Sequence, residues 1–153
     1  MPMTPLARTQ NQSSRKKITI VGGGGHVGLP LGLVLAESGF EVIAFDISET
    51  TVTKINSGIM PFVETGAEPL LQKVLKENSF KATSKPDCIS DAEVIVVVIG
   101  TPVDEHLSPN PNSLLEVIHD LKPYLKQNQL VLLRSTVFPG VSTVSYTHLR
   151  AHE

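Results

Sequence analysis

Residues 94–99 read Val-Ile-Val-Val-Val-Ile, β-branched throughout and with no polar alternate. A strand that is apolar on both faces has to be covered on both faces, which is the condition of a central strand in a parallel sheet. Parallel neighbours cannot be joined by tight turns and need crossover connections, usually helices. The rest of the chain has the matching pattern. Short β-branched or apolar runs at Lys16–Val21, Glu41–Phe45, Phe80–Thr83, Glu93–Ile99 and Leu130–Leu133 predict five strands. Between them, apolar residues at helical spacing predict helices over Val27–Ser38, Ser48–Asn56, Ala67–Glu77 and Ser113–Leu121. Ser48 is the expected N-cap of the second of these, and Gly39 the left-handed cap that closes the first. Ser113, with Glu116 three residues on, has the spacing of a capping box. Right-handed crossovers then give a doubly wound parallel sheet in three layers, an α/β fold.

Size and composition bound what such a domain does. A chain of 153 residues suits one domain. A formal charge of −2 and a pI near 6.2 offer no basic face, so no nucleic-acid partner is expected. The single cysteine, Cys88, excludes an internal disulfide framework and fits a reducing compartment. No apolar run approaches the roughly 20 residues of a membrane span, and Met1–Lys17 has no apolar stretch of the kind a secretory signal carries. The expectation is a cytoplasmic protein without a membrane partner. Residues 1–15 read as a disordered leader, 16–143 as the domain, and 144–153 as a tail that shares none of its pattern. His148 and His152 in that tail stand at a metal-binding spacing, but nothing completes a ligand set, and no metal is expected. His106 and His119 read as surface residues.

The run Gly22–Gly25 ends the first strand, and Gly23-Gly24-Gly25-His26-Val27-Gly28 matches G-x-G-x-x-G. Alone this is a weak signal. Here it lies between a predicted strand and a predicted helix, and Asp46 ends the next strand 23 residues after Gly23. That context predicts a Rossmann-type site for NAD. Gly23 would permit the turn out of the strand, Gly25 would let a pyrophosphate approach the backbone, and Gly28 would let the helix pack closely on the sheet. The amides opening the helix, around His26 and Val27, would face the phosphates. Asp46 would accept from the adenosine ribose hydroxyls and repel a 2′-phosphate, favouring NAD over NADP. An S-adenosylmethionine site uses a related loop, but the full glycine spacing speaks against it.

Four stretches, in order, resemble the nucleotide-sugar 6-dehydrogenases, the family of the UDP-glucose, UDP-N-acetylglucosamine and UDP-N-acetylmannosamine dehydrogenases. They are Gly23–Gly32 (GGGHVGLPLG), Ile55–Leu71 (INSGIMPFVETGAEPLL), Val98–Asp104 (VIGTPVD) and Leu133–Gly140 (LRSTVFPG). The resemblance covers roughly Lys17 to Thr143. It implies that Gly100, Thr101 and Pro102 pass along the cofactor, with Thr101 supporting catalysis near the nicotinamide. It also implies that Ser135 and Thr136 touch the cofactor. Two positions depart from the family's pattern. Many members have tyrosine at the place of His26, and many have Arg or Lys near Thr51, where Lys54 is the nearest charged substitute.

Members of this family oxidise the C6 alcohol of a UDP-sugar to a carboxylate with two NAD, through an enzyme thioester on a cysteine. That cysteine lies beyond the first domain. Cys88, just before the fourth strand, is not expected to replace it. The resemblance also implies a sixth strand, a long helix that commonly mediates dimers, and a UDP-binding domain. The chain is therefore expected to be C-terminally truncated, the NAD-binding part of an enzyme that is a homodimer or larger. Ser145–Glu153 (SYTHLRAHE) resembles the translation of a sequencing adapter, so native sequence is expected to stop near Thr143. Two alternatives stand beside this reading: a free-standing dinucleotide-binding sensor or subunit, and the first domain of a hydroxyacid-type dehydrogenase.

Overall fold

The computed structural model describes residues 15–99 and 112–134. The elements follow in the order β1 (Lys17–Val21), α1 (Gly28–Glu37), β2 (Glu41–Phe45), α2 (Glu49–Asn56), α3 (Ala67–Lys76), β3 (Phe80–Thr83), α4 (Cys88–Asp91), β4 (Val94–Val97), α5 (Asn112–Leu121), a 3-10 turn (Lys122–Tyr124) and β5 (Leu130–Leu133). All strand pairs are parallel, and the sheet order is β3-β2-β1-β4-β5. The order reverses between β1 and β4, and the C-terminal ends of strands at such a switch point are where ligands bind in open α/β sheets.

Burial explains why the sheet is central. Ile18 and Ile20 of β1, Val42 and Ala44 of β2, and Val96 of β4 pack on one face with Leu29, Leu33, Ile55, Leu71 and Val74 from α1, α2 and α3. The alternate residues Val21, Ile43, Ile95 and Val97 pack on the other face with Ile89, Leu114, Ile118 and Leu121 from α4 and α5. The apolar character of β4 on both sides is thus used on both sides, giving the three layers expected.

Three helices stop in the same way. After α1, α2 and α3 the chain turns through a left-handed residue, respectively Gly39, Gly58 and Asn78. The amide two past each C-cap reaches back across the last turn: Phe40 to Leu35, Ile59 to Lys54 and Ser79 to Val74. Those bonds satisfy carbonyls that a helix end otherwise leaves open. Ser48 caps α2 as expected, its Oγ accepting from Thr51 N at 3.3 Å. Helix α5 begins at Asn112, so Ser113 lies within the helix and not at the N-cap position expected for it. Helix α4 is a single turn that periodicity does not anticipate.

The outer edge of β3 is not left bare. Asn56 places its amide against the strand, Nδ2 donating to Ala82 O and Oδ1 accepting from Ala82 N, both at 2.9 Å. One side chain thereby imitates a neighbouring strand at a position where unpaired groups would invite association. Asn56 belongs to the Ile55–Leu71 stretch, and this contact gives it a structural role.

Candidate functional site

The glycine loop leaves the C-terminal end of β1 and is pinned from the neighbouring strand. Gly22 N and Gly23 N both donate to Phe45 O, at 3.0 and 3.1 Å, and Gly25 N closes back on Gly22 O at 3.2 Å. The left-handed residue in the turn is Gly22, with φ +81°, rather than Gly23. Gly23 is constrained by space instead, since a Cβ there would stand 2.6 Å from the Ala44 methyl. Gly28 is also a close approach, but against the loop itself: its Cβ would meet Gly22 O at 2.3 Å. The tight contact between helix and strands falls one turn later, at Gly32, under Phe80 and Ile20. Gly25 differs from the rest. The nearest atom to a Cβ there is Gly22 O at 3.4 Å, so its open side faces no protein.

Helix α1 begins at the mouth of this loop. Leu29 N donates to Gly25 O at 3.0 Å and Leu31 N to Val27 O at 3.2 Å. The amides of His26, Val27 and Gly28 have no acceptor among the described residues, and Val27, the N-cap, offers no side-chain acceptor. Unpaired amides at a helix start, next to a backbone that lacks a Cβ, are what a pyrophosphate requires.

Asp46 lies at the tip of β2, and its carboxylate is tied to both flanks. Gly24 N donates to Oδ2 at 3.0 Å, and Ser48 N donates to Oδ1 at 2.9 Å. The loop and the acidic residue, widely separated in sequence, therefore meet directly. Each carboxylate oxygen keeps further acceptor capacity for a ribose hydroxyl. Thr51 contributes packing, not charge. Its methyl group crowds Gly24, where a Cβ would lie 2.6 Å from it, and its hydroxyl donates to Ser48 Oγ at 3.0 Å. Lys54 is exposed in the last turn of α2.

Beside Asp46 a cleft of about 720 Å³ opens across the ends of β1, β2 and β4. Its walls include Ile47, Pro86, Ile99, Val117, Leu121 and Tyr124. Such an apolar slot suits the faces of a purine ring. Ile99 begins the turn expected to pass along the cofactor, whereas Ile47, Pro86, Val117, Leu121 and Tyr124 carry no sequence signal for this place. The apolar stripe of α5 was legible, but half-buried positions such as Val117 and Tyr124 do not announce which side of the helix they serve. His119 is exposed and stands at the rim. Also unforeseen is the partner of His26: its ring stacks on Phe62 from the loop between α2 and α3, with centroids 4.2 Å apart and planes 18° from parallel.

Of the remaining expected contacts, Gly100, Thr101, Pro102, Ser135 and Thr136 lie outside the described residues, as do the leader before Arg15, the tail, His106, His148 and His152. Among the described residues no group of three or more His, Cys, Asp and Glu is arranged to hold a metal, and no helix is long and apolar enough to cross a membrane.

Cys88 is not part of the cleft. It is buried in α4, where its carbonyl accepts from Thr19 Oγ1 at 3.3 Å. Burial pushes its thiol up from an ordinary 9.0 to about 11, against a smaller opposing effect of a backbone hydrogen bond. The thiolate is the nucleophilic form, so this thiol is inert near neutrality. Alkylation of the native chain at about pH 8 is expected to run at least ~100-fold slower than in urea, because two pKa units remove that much thiolate. Equal labelling rates would contradict the burial. The linkage has a definite sign. The folded pKa lies above the unfolded one, so the neutral thiol favours the fold. This contribution is fully present below pH 9 and is lost as pH rises toward 11.

Comparison with known proteins identifies the family. Residues 16–153 match the model of the UDP-glucose/GDP-mannose dehydrogenase family, NAD binding domain. A curated relative, the UDP-N-acetyl-D-mannosamine dehydrogenase of Pyrococcus horikoshii, is 28% identical over 78% of this chain and 28% of its own length. The UDP-N-acetyl-D-glucosamine 6-dehydrogenase of Pseudomonas aeruginosa is 32% identical over 82% of this chain and 28% of its own. The crystal structure of a GDP-mannose dehydrogenase ternary complex from Pseudomonas aeruginosa superposes with a TM-score of 0.80. It is 29% identical, over 86% of this chain and 31% of that one. The chain thus spans less than a third of the length of these relatives. With a doubly wound parallel sheet, a glycine loop joined to Asp46 and a family match over nearly the whole chain, the protein belongs to the UDP-glucose/GDP-mannose dehydrogenase family and corresponds to its NAD-binding domain.

Proposed function

We propose that this domain binds NAD along the glycine loop and serves the oxidation of the C6 alcohol of a UDP-sugar to the carboxylate, in a cytoplasmic enzyme that assembles as a homodimer or larger. The observation that carries the reading is the carboxylate of Asp46, at the C-terminal end of β2, held 3.0 Å from the Gly24 amide of the loop that leaves β1 beside the switch point. Gly25 leaves room for the pyrophosphate, and the amides of His26, Val27 and Gly28 supply donors to it. Asp46 takes the adenosine ribose, and the slot between Pro86, Val117 and Tyr124 takes the adenine. Gly100, Thr101, Pro102, Ser135 and Thr136 are proposed to continue the site toward the nicotinamide, with Thr101 beside the reacting carbon. NAD, when bound, accepts the hydride from C6. The domain's own part is to bind and orient, not to supply a nucleophile. Its one thiol is buried away from the cleft.

Calorimetric titration of the full chain with NAD and NADP tests the reading. Saturable uptake of NAD is expected, with NADP at least roughly tenfold weaker, since an added 2′-phosphate meets the Asp46 carboxylate across a short gap. With NAD and UDP-sugars present, this chain alone is expected to yield no sustained NADH. Absence of NAD uptake by folded material would overturn the proposal.

A further inference from the structure

We propose that Phe62 is a positioning residue for the cofactor site: it holds the His26 ring at the mouth of α1 so that an imidazole N–H meets the dinucleotide's pyrophosphate. This rests on the NAD reading above. His26 follows Gly25, whose open side faces no protein, and precedes Val27, the N-cap of α1. It is exposed, and a free exposed side chain loses rotamer freedom when a ligand fixes it. The stack on Phe62, at 4.2 Å and 18°, restricts that freedom before any ligand arrives. Stacking uses the face of the imidazole, while its nitrogens lie on the edge. Neither nitrogen has a hydrogen-bond partner among the described residues.

Phe62 is itself fixed. It is partly buried and packs against the core cluster that includes Leu29, Leu33, Ile55 and Leu71. Its loop is tied down at several points. Ile59 N donates to Lys54 O at 3.0 Å, Gln72 Nε2 to Gly58 O at 3.3 Å, and Met60 N to Glu68 Oε2 at 3.4 Å. A ring anchored this way transmits the position of the α2–α3 loop to a donor beside the phosphate amides. If the stack merely shielded Phe62 from water, its loss would lower stability and leave ligand preference alone.

The test is a set of NMR titrations of the full chain with adenosine, ADP and NAD, using Phe62→Leu, Phe62→Tyr, His26→Ala and the Leu/Ala double variant. Adenosine lacks the pyrophosphate and serves as the internal control. Phe62→Leu and His26→Ala are each expected to weaken ADP and NAD roughly three- to tenfold, the scale of one aromatic pair, with adenosine unmoved. Phe62→Tyr should retain parent affinities, and the double variant should bind no worse than His26→Ala alone. A parallel loss of adenosine, multiplicative losses in the double variant, or unchanged ADP affinity in His26→Ala would each overturn the inference. His26 is exposed, so its variant folds irrespective of what Phe62→Leu does to the core. A parent chain that binds neither NAD nor adenosine would remove the cofactor reading itself, whereas a parent that binds both with indifferent variants would remove only the clamp.

Discussion

Gly22→Ala is expected to cost the domain roughly 2–5 kcal/mol, while Gly25→Ala, three residues on, is expected to fold like the parent and lose cofactor affinity. The first cost has two sources. Gly22 has φ +81°, where an L side chain is strained by about 1–2 kcal/mol. Its Cβ would also stand 1.9 Å from Val98 O. That carbonyl belongs to backbone held in the sheet, since Val98 N donates to Val21 O at 2.8 Å. It cannot retreat without opening the ladder, which adds an overpacking cost of about 1–3 kcal/mol. Against a total stability of about 5–15 kcal/mol, the loss is a large fraction. Gly25 has neither problem, since its Cβ would make only an ordinary contact at 3.4 Å. The methyl group would occupy the side left open to a pyrophosphate, and NAD affinity should fall roughly tenfold or more, equivalent to about 1.4 kcal/mol. Urea midpoints followed by circular dichroism measure the first effect and calorimetry the second. A Gly22→Ala midpoint equal to the parent's, or parent affinity in Gly25→Ala, would contradict the division of labour within the loop.

That division could not be read from the chain. Four consecutive glycines are alike in sequence, and only the fold says which turns left-handed, which touches Ala44 and which faces open space. The strands were legible for the opposite reason. Val94–Val97 is apolar on both faces, and a pattern that strong has few homes. Helix α4 was not legible because four residues hold about one turn, too few to show a period. Asp46 was found by its distance from the glycines. What aims it was not, because both partners are backbone amides, Gly24 N and Ser48 N, which carry no residue signature. The His26–Phe62 stack depends on a loop whose shape is set by Gln72 and Glu68 on α3, contacts that no local pattern encodes.

Asp46→Asn is expected to lower NAD affinity by about 10- to 100-fold and to narrow the preference over NADP. The Asn side chain has nearly the shape of Asp but only one acceptor oxygen. With its oxygen toward Ser48 N, the amide nitrogen faces Gly24 N, and two donors then oppose each other across 3.0 Å. Reversing the amide moves the same conflict to Ser48. Either orientation also removes acceptors for the ribose hydroxyls. A hydrogen bond to a charged group is worth about 1.5–3 kcal/mol, which sets the scale of the loss. The negative charge disappears at the same time, so the repulsion that a 2′-phosphate meets is relieved. NADP should therefore lose less affinity than NAD, and the ratio between them should move toward one. Asp46→Glu keeps the charge but lengthens the side chain. It should retain the preference for NAD while weakening both ligands, because the carboxylate overshoots the Gly24 amide. Calorimetric titration of the three proteins with both dinucleotides measures these ratios. If Asp46→Asn kept the parent's preference for NAD, the carboxylate at the tip of β2 would not be what selects the cofactor.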